Sequence, residues 1–108
     1  MLIAVAGPYS AGTEEEMQAN LDAMNDACAE VYKKGHIPVA GVNNALPVVN
    51  RLNGWNRYEA IMKISLAIVE RCDAILILGS SPGALKEKNL FIEKKLPVYY
   101  SVNEIPEL

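Results

Sequence analysis

The chain has 108 residues, 51% hydrophobic and 21% charged, a composition that excludes a disordered chain and predicts one compact domain over residues 1–108. The net charge is -3 and lysine and arginine form no cluster, which argues against a nucleic-acid polymer as partner. No stretch reaches the roughly 18 apolar residues of a membrane span, and the first residues lack the basic start of a secretory signal. We therefore expect a cytoplasmic protein that does not bind membranes.

Apolar runs and helical patterns alternate along the chain. Four runs of four to six residues predict strands buried on both faces of a parallel sheet, at 2–6, 36–40, 73–78 and 97–100. Helical periodicity predicts helices over about 14–34, 55–71 and 83–94, the first beginning at a capping box of Thr13 and Glu16. The alternation predicts a three-layer α/β domain, flavodoxin-like or Rossmann-like, with a four- to five-stranded parallel sheet.

The segment 41–54 is the least regular part of the chain. It contains four asparagines, two glycines and one proline around a short apolar piece at 45–49. A connection of this length in a compact domain is often functional, so we expect a loop with at most a helical turn that covers a substrate. The helix that follows is broadly apolar, which predicts packing against both the sheet and a second copy, as a homodimer or larger homo-oligomer.

Glycine and polar residues follow three of the predicted strands. The carboxyl ends of parallel strands meet at one edge, where open α/β sheets bind ligands. Glycine lets a ligand approach the backbone, and a helix amino end favours anions, so these loops are typical of a phosphate or carboxylate cradle. Ordinary turns and helix caps are the alternative interpretation. The candidate binding residues are Gly7, Ser10, Asn43, Ser81 and Gly83.

Several common catalytic and binding motifs are absent. The chain has no Walker pattern, no GxGxxG and no Gly-x-Ser-x-Gly elbow, which argues against a nucleoside triphosphatase, a dinucleotide oxidoreductase and a serine hydrolase. Cys28 and Cys72 lie in apolar patterns without metal-ligand spacing, so we expect free thiols, no metal and no cofactor. His36 opens the second predicted strand, a position typical of a structural hydrogen-bonding histidine.

Five segments occur in an order that resembles a known enzyme family. They are IAVAGPY from residue 3, GHIPV from residue 35, CDAI from residue 72, SPGA from residue 81 with Glu87 behind it, and PVYY from residue 97. Together they resemble the nucleoside 2-deoxyribosyltransferase family, including its 2'-deoxynucleoside 5'-phosphate N-hydrolase branch and short uncharacterised relatives. The resemblance covers almost the whole chain.

The resemblance implies a nucleophilic carboxylate. Glu87 lies ten residues before Pro97, the spacing of the family's nucleophile, and Ser81 lies six residues before Glu87, where the hydrolase branch contacts a 5'-phosphate. The implied chemistry is attack on C1' of the sugar, departure of the base and a covalent glycosyl-Glu intermediate. We expect Tyr9 to orient Glu87, because the first loop should face the third.

One position departs from the family pattern. The family has an aspartate eight residues before the residue equivalent to Asp73, and this chain has Ser65 there. General acid help to the leaving base would then come from Glu59, Asn43 or a second subunit. We expect an N-glycosidase acting on a nucleoside 5'-monophosphate. The alternatives are base exchange by deoxyribosyl transfer and, in another class, a nucleotide-binding module without catalysis.

Overall fold

The computed structural model describes residues 1–108 and contains four α-helices and four strands. All strands pair in parallel, in the order β2-β1-β3-β4. This confirms the predicted flavodoxin-like three-layer α/β domain, with four strands in its sheet. In chain order the elements are β1 (Leu2–Ala6), α1 (Glu14–Lys33), β2 (Ile37–Val39), α2 (Gly41–Val49), α3 (Arg57–Val69), β3 (Ala74–Ile77), α4 (Pro82–Glu93), β4 (Val98–Tyr99) and a 3-10 helix, Val102–Glu104.

Both faces of the two central strands are buried, which explains their continuous apolar sequence. Ile3 and Val5 of β1 face a core shared with α1, whereas Ala4 and Ala6 face a core shared with α3 and α4. β2 and β4 are the edge strands and are only partly buried. The sheet is therefore the middle layer between two hydrophobic cores.

The ends of the helices follow from local hydrogen bonds. The Thr13 hydroxyl accepts a hydrogen bond from the Glu16 amide at 3.1 Å, which confirms the predicted start of α1. Gly35, at φ 94°, ends α1 in the left-handed conformation that glycine adopts without strain. Lys95 takes the same role after α4 at φ 58°. None of the helices combines the length and the apolarity needed to cross a membrane.

The predicted loop over 41–54 is wrong, because its first nine residues form α2. Val42, Ala45 and Val49 are buried at helical spacing, and burial of this stripe favours the helix. Pro47 lies inside α2 and has no amide to donate to the Asn43 carbonyl, a loss that normally disfavours a helix interior. The segment is thus part of the packed core, and only residues 50–56 connect α2 to α3.

Candidate functional site

A cavity of about 150 Å³ lies at the carboxyl ends of β1 and β3. The chain passes from β1 to β2 on one side and then returns past β1 to β3, so the strand order reverses between these two central strands. Open α/β sheets bind ligands at such a reversal. The loop after β1, the first residues of α2, one side of α3 and the start of α4 form the walls.

The structure brings together nearly all of the residues that the sequence singled out. Asn43 does not line the cavity: it is exposed in the first turn of α2, where its side-chain amide donates to the Asn25 side-chain oxygen at 2.6 Å. The three loops therefore converge only in part. The candidate residues that line the cavity are Gly7, Tyr9, Ser10, Ser81, Gly83 and Glu87.

Glu87 is the one carboxylate in the wall of the cavity, and its side chain has no partner. The residue is 8% exposed, yet its carboxylate accepts no hydrogen bond and forms no ion pair. The neighbouring lysines contact aromatic rings instead, with Lys86 Nζ 6.0 Å from the centroid of Tyr58 and Lys88 Nζ 5.2 Å from that of Tyr100. Burial raises the pKa of Glu87 from 4.5 to about 7. The carboxyl group therefore changes charge near neutral pH.

Tyr9 also lines the cavity, and its position is fixed through its backbone. The Tyr9 carbonyl accepts a hydrogen bond from the Asn20 side-chain amide at 3.0 Å, which ties the loop after β1 to α1. The phenol oxygen makes no hydrogen bond, to Glu87 or to any other group. The proposed orientation of Glu87 by Tyr9 stays a prediction.

The start of α4 leaves one amide free at the cavity. Ser81 caps this helix, since its hydroxyl accepts from the Ala84 amide at 3.1 Å and its carbonyl accepts from the Leu85 amide at 2.9 Å. Pro82 has no amide hydrogen, so Gly83 presents the remaining donor of the first turn. A Cβ at Gly83 would lie 2.9 Å from the Met62 sulfur, so a side chain here would require the flexible end of Met62 to move.

α3 forms one wall of the cavity, a role that its sequence did not predict. Tyr58, Ile61, Met62 and Ser65 follow helical spacing, and this stripe predicts packing against the sheet and a second copy. In the structure the same four residues line the cavity. The helical periodicity of α3 therefore predicts a buried face, but it does not distinguish the wall of a cavity from a hydrophobic core.

The cavity has a mostly apolar lining and no positively charged side chain. None of its lining residues is lysine, arginine or histidine, and no group of three histidine, cysteine, aspartate or glutamate side chains in the chain could hold a metal ion. Its polar groups are hydroxyls, backbone amides and the single carboxylate of Glu87. This arrangement suits attack by a carboxylate, or proton transfer, on a largely neutral group bound inside.

Comparison with protein-family models and with curated protein sequences found no match to the chain. The resemblance to nucleoside 2-deoxyribosyltransferases therefore stays a prediction that rests on the five sequence segments.

Proposed function

We propose that the chain is an N-glycosidase that cleaves the bond between base and sugar in a nucleoside 5'-monophosphate, with Glu87 as the nucleophile. The observation that carries this proposal is Glu87, a residue only 8% exposed, whose carboxylate has no hydrogen-bond or ion-pair partner and lines a cavity at the strand reversal. A carboxylate used only for stability would be paired or exposed, because burial of an unpaired charge is costly. A carboxylate that must attack carbon needs a free oxygen instead.

The reaction proceeds in two displacements at C1'. An oxygen of Glu87 forms a bond to C1', the bond from C1' to the base nitrogen breaks, and its electron pair leaves with the base, which takes up a proton from solvent. Water then attacks C1' and releases one proton to solvent, the ester bond to Glu87 breaks, and a sugar 5-phosphate leaves with the carboxylate restored. Transfer to a second base instead of water would give base exchange from the same intermediate.

The phosphate would bind at the mouth of the cavity, where solvent reduces the cost of its charge. Ser10 is exposed there, and Ser81 has a hydroxyl hydrogen to donate while its oxygen accepts from Ala84. The free amide of Gly83 adds the favourable end of the α4 dipole. Three neutral donors can thus hold an anion without a cationic side chain.

Release of free base is the direct test of this function. We expect chromatography to detect base when the protein is incubated with a panel of ribo- and deoxyribonucleoside 5'-monophosphates. Glu87→Gln should lower the rate by about 10³-fold or more, because an amide cannot form the glycosyl ester. The rate in the wild type should rise with pH through about 7, as the Glu87 carboxyl loses its proton.

The matched control is Glu93→Gln, the same change on the exposed part of α4. It should leave the rate of base release unchanged. Equal release by the wild type and by Glu87→Gln would overturn the assignment of the nucleophile. A nucleotide that raises the melting temperature without any release of base would favour the nucleotide-binding module.

We also infer that the chain self-associates through the surface around α3. Trp55 is 72% exposed, and Leu52 and Tyr58, three residues before and after it, are exposed as well, so three large apolar side chains of this short segment face solvent. A second copy packed here would shield these side chains and border the mouth of the cavity, because Tyr58 also lines it.

A further inference from the structure

A second cavity, of about 350 Å³, lies where the chain leaves β3 and β4 and borders α4. Its lining shares a single residue, Ala84, with the lining of the first cavity, so the two are separate. Small-molecule sites in proteins have volumes of roughly 300–1,000 Å³. Open α/β sheets bind their ligands at the carboxyl ends of the strands. The second cavity therefore has the size and the position of a ligand site.

Lys88 is the one charged side chain in the lining of the second cavity. Two lysines of the chain are half-buried, Lys34 and Lys88. Lys34 donates hydrogen bonds to two backbone carbonyls, whereas Lys88 donates to none and forms no ion pair. Its Nζ lies 5.2 Å from the ring centroid of Tyr100, a contact that leaves its three N–H donors without an oxygen acceptor. A half-buried ammonium of this kind favours an anion as its partner.

The loop after β3 adds neutral donors to the same cavity. Gly79 and Ser80 line it, and the backbone amide of each donates to no acceptor in the chain. Amides of consecutive residues and a lysine together suit an oxyanion, whose oxygens accept several hydrogen bonds. The chain has a net charge of -3, so an anion gains little from the surface as a whole and depends on a local site of this kind.

The remainder of the lining is apolar and open to solvent. Leu78, Leu85 and Tyr100 are 38%, 52% and 56% exposed, and all three line the cavity. The Tyr100 amide donates to the Glu104 carboxylate at 2.9 Å, which fixes Tyr100 in place, and Glu104 itself lies outside the lining. Exposed apolar side chains grouped at a cavity are typical of a binding surface. An inorganic anion would leave them uncovered, so the occupant should carry an apolar body.

We propose that the second cavity binds a small organic oxyanion, a phosphate monoester or a carboxylate with an aromatic or aliphatic body. The head group pairs with Lys88 and the body packs on Leu78, Leu85 and Tyr100. Phosphate and carboxylate share the property that the site recognises, negatively charged oxygens that accept hydrogen bonds. The site does not use Glu87, so it goes beyond the proposed glycosidase and does not depend on it.

Titration of the full chain with phenyl phosphate, followed through the NMR signals of the backbone amides, tests this site. We expect saturable shifts at Gly79, Ser80 and Lys88, and a parallel titration with benzoate shows which head group binds more tightly. Inorganic phosphate offers the head group alone, and benzyl alcohol offers an uncharged body. Each should bind at least about tenfold more weakly than phenyl phosphate does, because half of the recognition is lost.

Substitutions on α4 separate the charge from the apolar contact. Lys88→Gln should weaken binding of phenyl phosphate by about tenfold or more, whereas Lys88→Arg keeps the charge and should retain most of the affinity. Leu85→Ser should weaken binding of phenyl phosphate by about threefold and leave that of inorganic phosphate unchanged. The matched control is Lys86→Gln, at an exposed lysine of the same helix that contacts a different ring, that of Tyr58, outside this cavity. It should leave the affinity unchanged.

The outcomes that would overturn this site differ from those for the proposed function. Equal weakening by Lys86→Gln and Lys88→Gln would mean that the anion is attracted by the general charge of α4. Largest shifts at Gly7 and Glu87 would place the anion in the first cavity instead. Absence of saturation by about 10 mM would also remove the site. Glu87→Gln should bind phenyl phosphate as the wild type does, whether or not the wild type releases base.

Discussion

The two ends of the sheet differ in whether their polar side chains have hydrogen-bond partners. At the amino end, His36 is 1% exposed and its Nε2 donates to the Pro106 carbonyl at 2.6 Å. Lys34 donates from Nζ to the carbonyls of Val102 at 2.7 Å and Ile105 at 2.8 Å. At the carboxyl end, the hydroxyl of Ser65 and the carboxylate of Glu87 have no partner.

The difference separates groups that hold the fold from groups that are free to bind. Satisfied polar groups at the amino end fasten the last residues of the chain across α1 and β2, so their hydrogen bonds stabilise the native state. Unsatisfied groups at the carboxyl end lower stability, and such groups occur where strain or function retains them. Substitution should therefore cost stability at the amino end and increase it at the carboxyl end.

His36→Ala should have the largest effect on stability. It removes the donor to the Pro106 carbonyl and leaves a cavity where a fully buried ring was, so the free energy of unfolding should fall by about 3–4 kcal/mol. Urea unfolding measures this directly. His36→Gln, which keeps an amide donor, should recover part of the loss. The rate of base release by folded protein should be unchanged, and a lower rate at intact stability would place His36 in the chemistry instead.

Glu87 should differ from His36 in that its charged form lowers the stability of the folded protein, and the pH dependence of stability should show this. Its pKa is raised from 4.5 to about 7 in the folded state, so the folded protein holds this proton more tightly than the unfolded chain does. Its contribution to stability is complete below about 4.5 and is lost as the pH rises through about 7. We expect the loss to be about 2–3 kcal/mol.

Unfolding at about pH 5 and about pH 8 checks this expectation. The wild type should lose stability between the two values by more than Glu87→Gln does, and the difference between the two proteins isolates Glu87 from the other titrating groups. Glu93→Gln should behave as the wild type does. If the free energy of unfolding changed by the same amount between the two pH values in all three proteins, the Glu87 carboxyl would be hydrated or paired in solution.

The strands and the three longer helices could be predicted because their signals are local. A buried strand such as Ala74–Ile77 is continuously apolar, and α1 has both a cap at Thr13 and a periodic stripe. α2 could not be predicted in this way, because Pro47 and its asparagines are typical of loops. Its helical conformation depends on burying Val42 against a core that other elements complete.

The candidate site could be predicted as far as topology determines it. The loops after β1 and β3 must meet, so Ser10, Ser81 and Glu87 lie at one cavity as expected. The sequence does not determine which polar groups remain unpaired there, since this depends on the packing of α2 against α3 at Gly41 and Ser65. Nor does it show that α2 turns Asn43 toward α1.

Asn43→Ala should have the smallest effect on stability. It also tests how far the site at the carboxyl end of the sheet extends. Its hydrogen bond to Asn25 joins two exposed side chains, so its loss should lower the free energy of unfolding by no more than about 0.5 kcal/mol. Nucleotide affinity should be unchanged, because Asn43 lies outside the cavity wall. Asn25→Ala is the matched control and should give the same small loss. If Asn43→Ala alone weakened nucleotide binding, the site would extend over the start of α2, and Asn43 would rejoin the residues that bind the ligand.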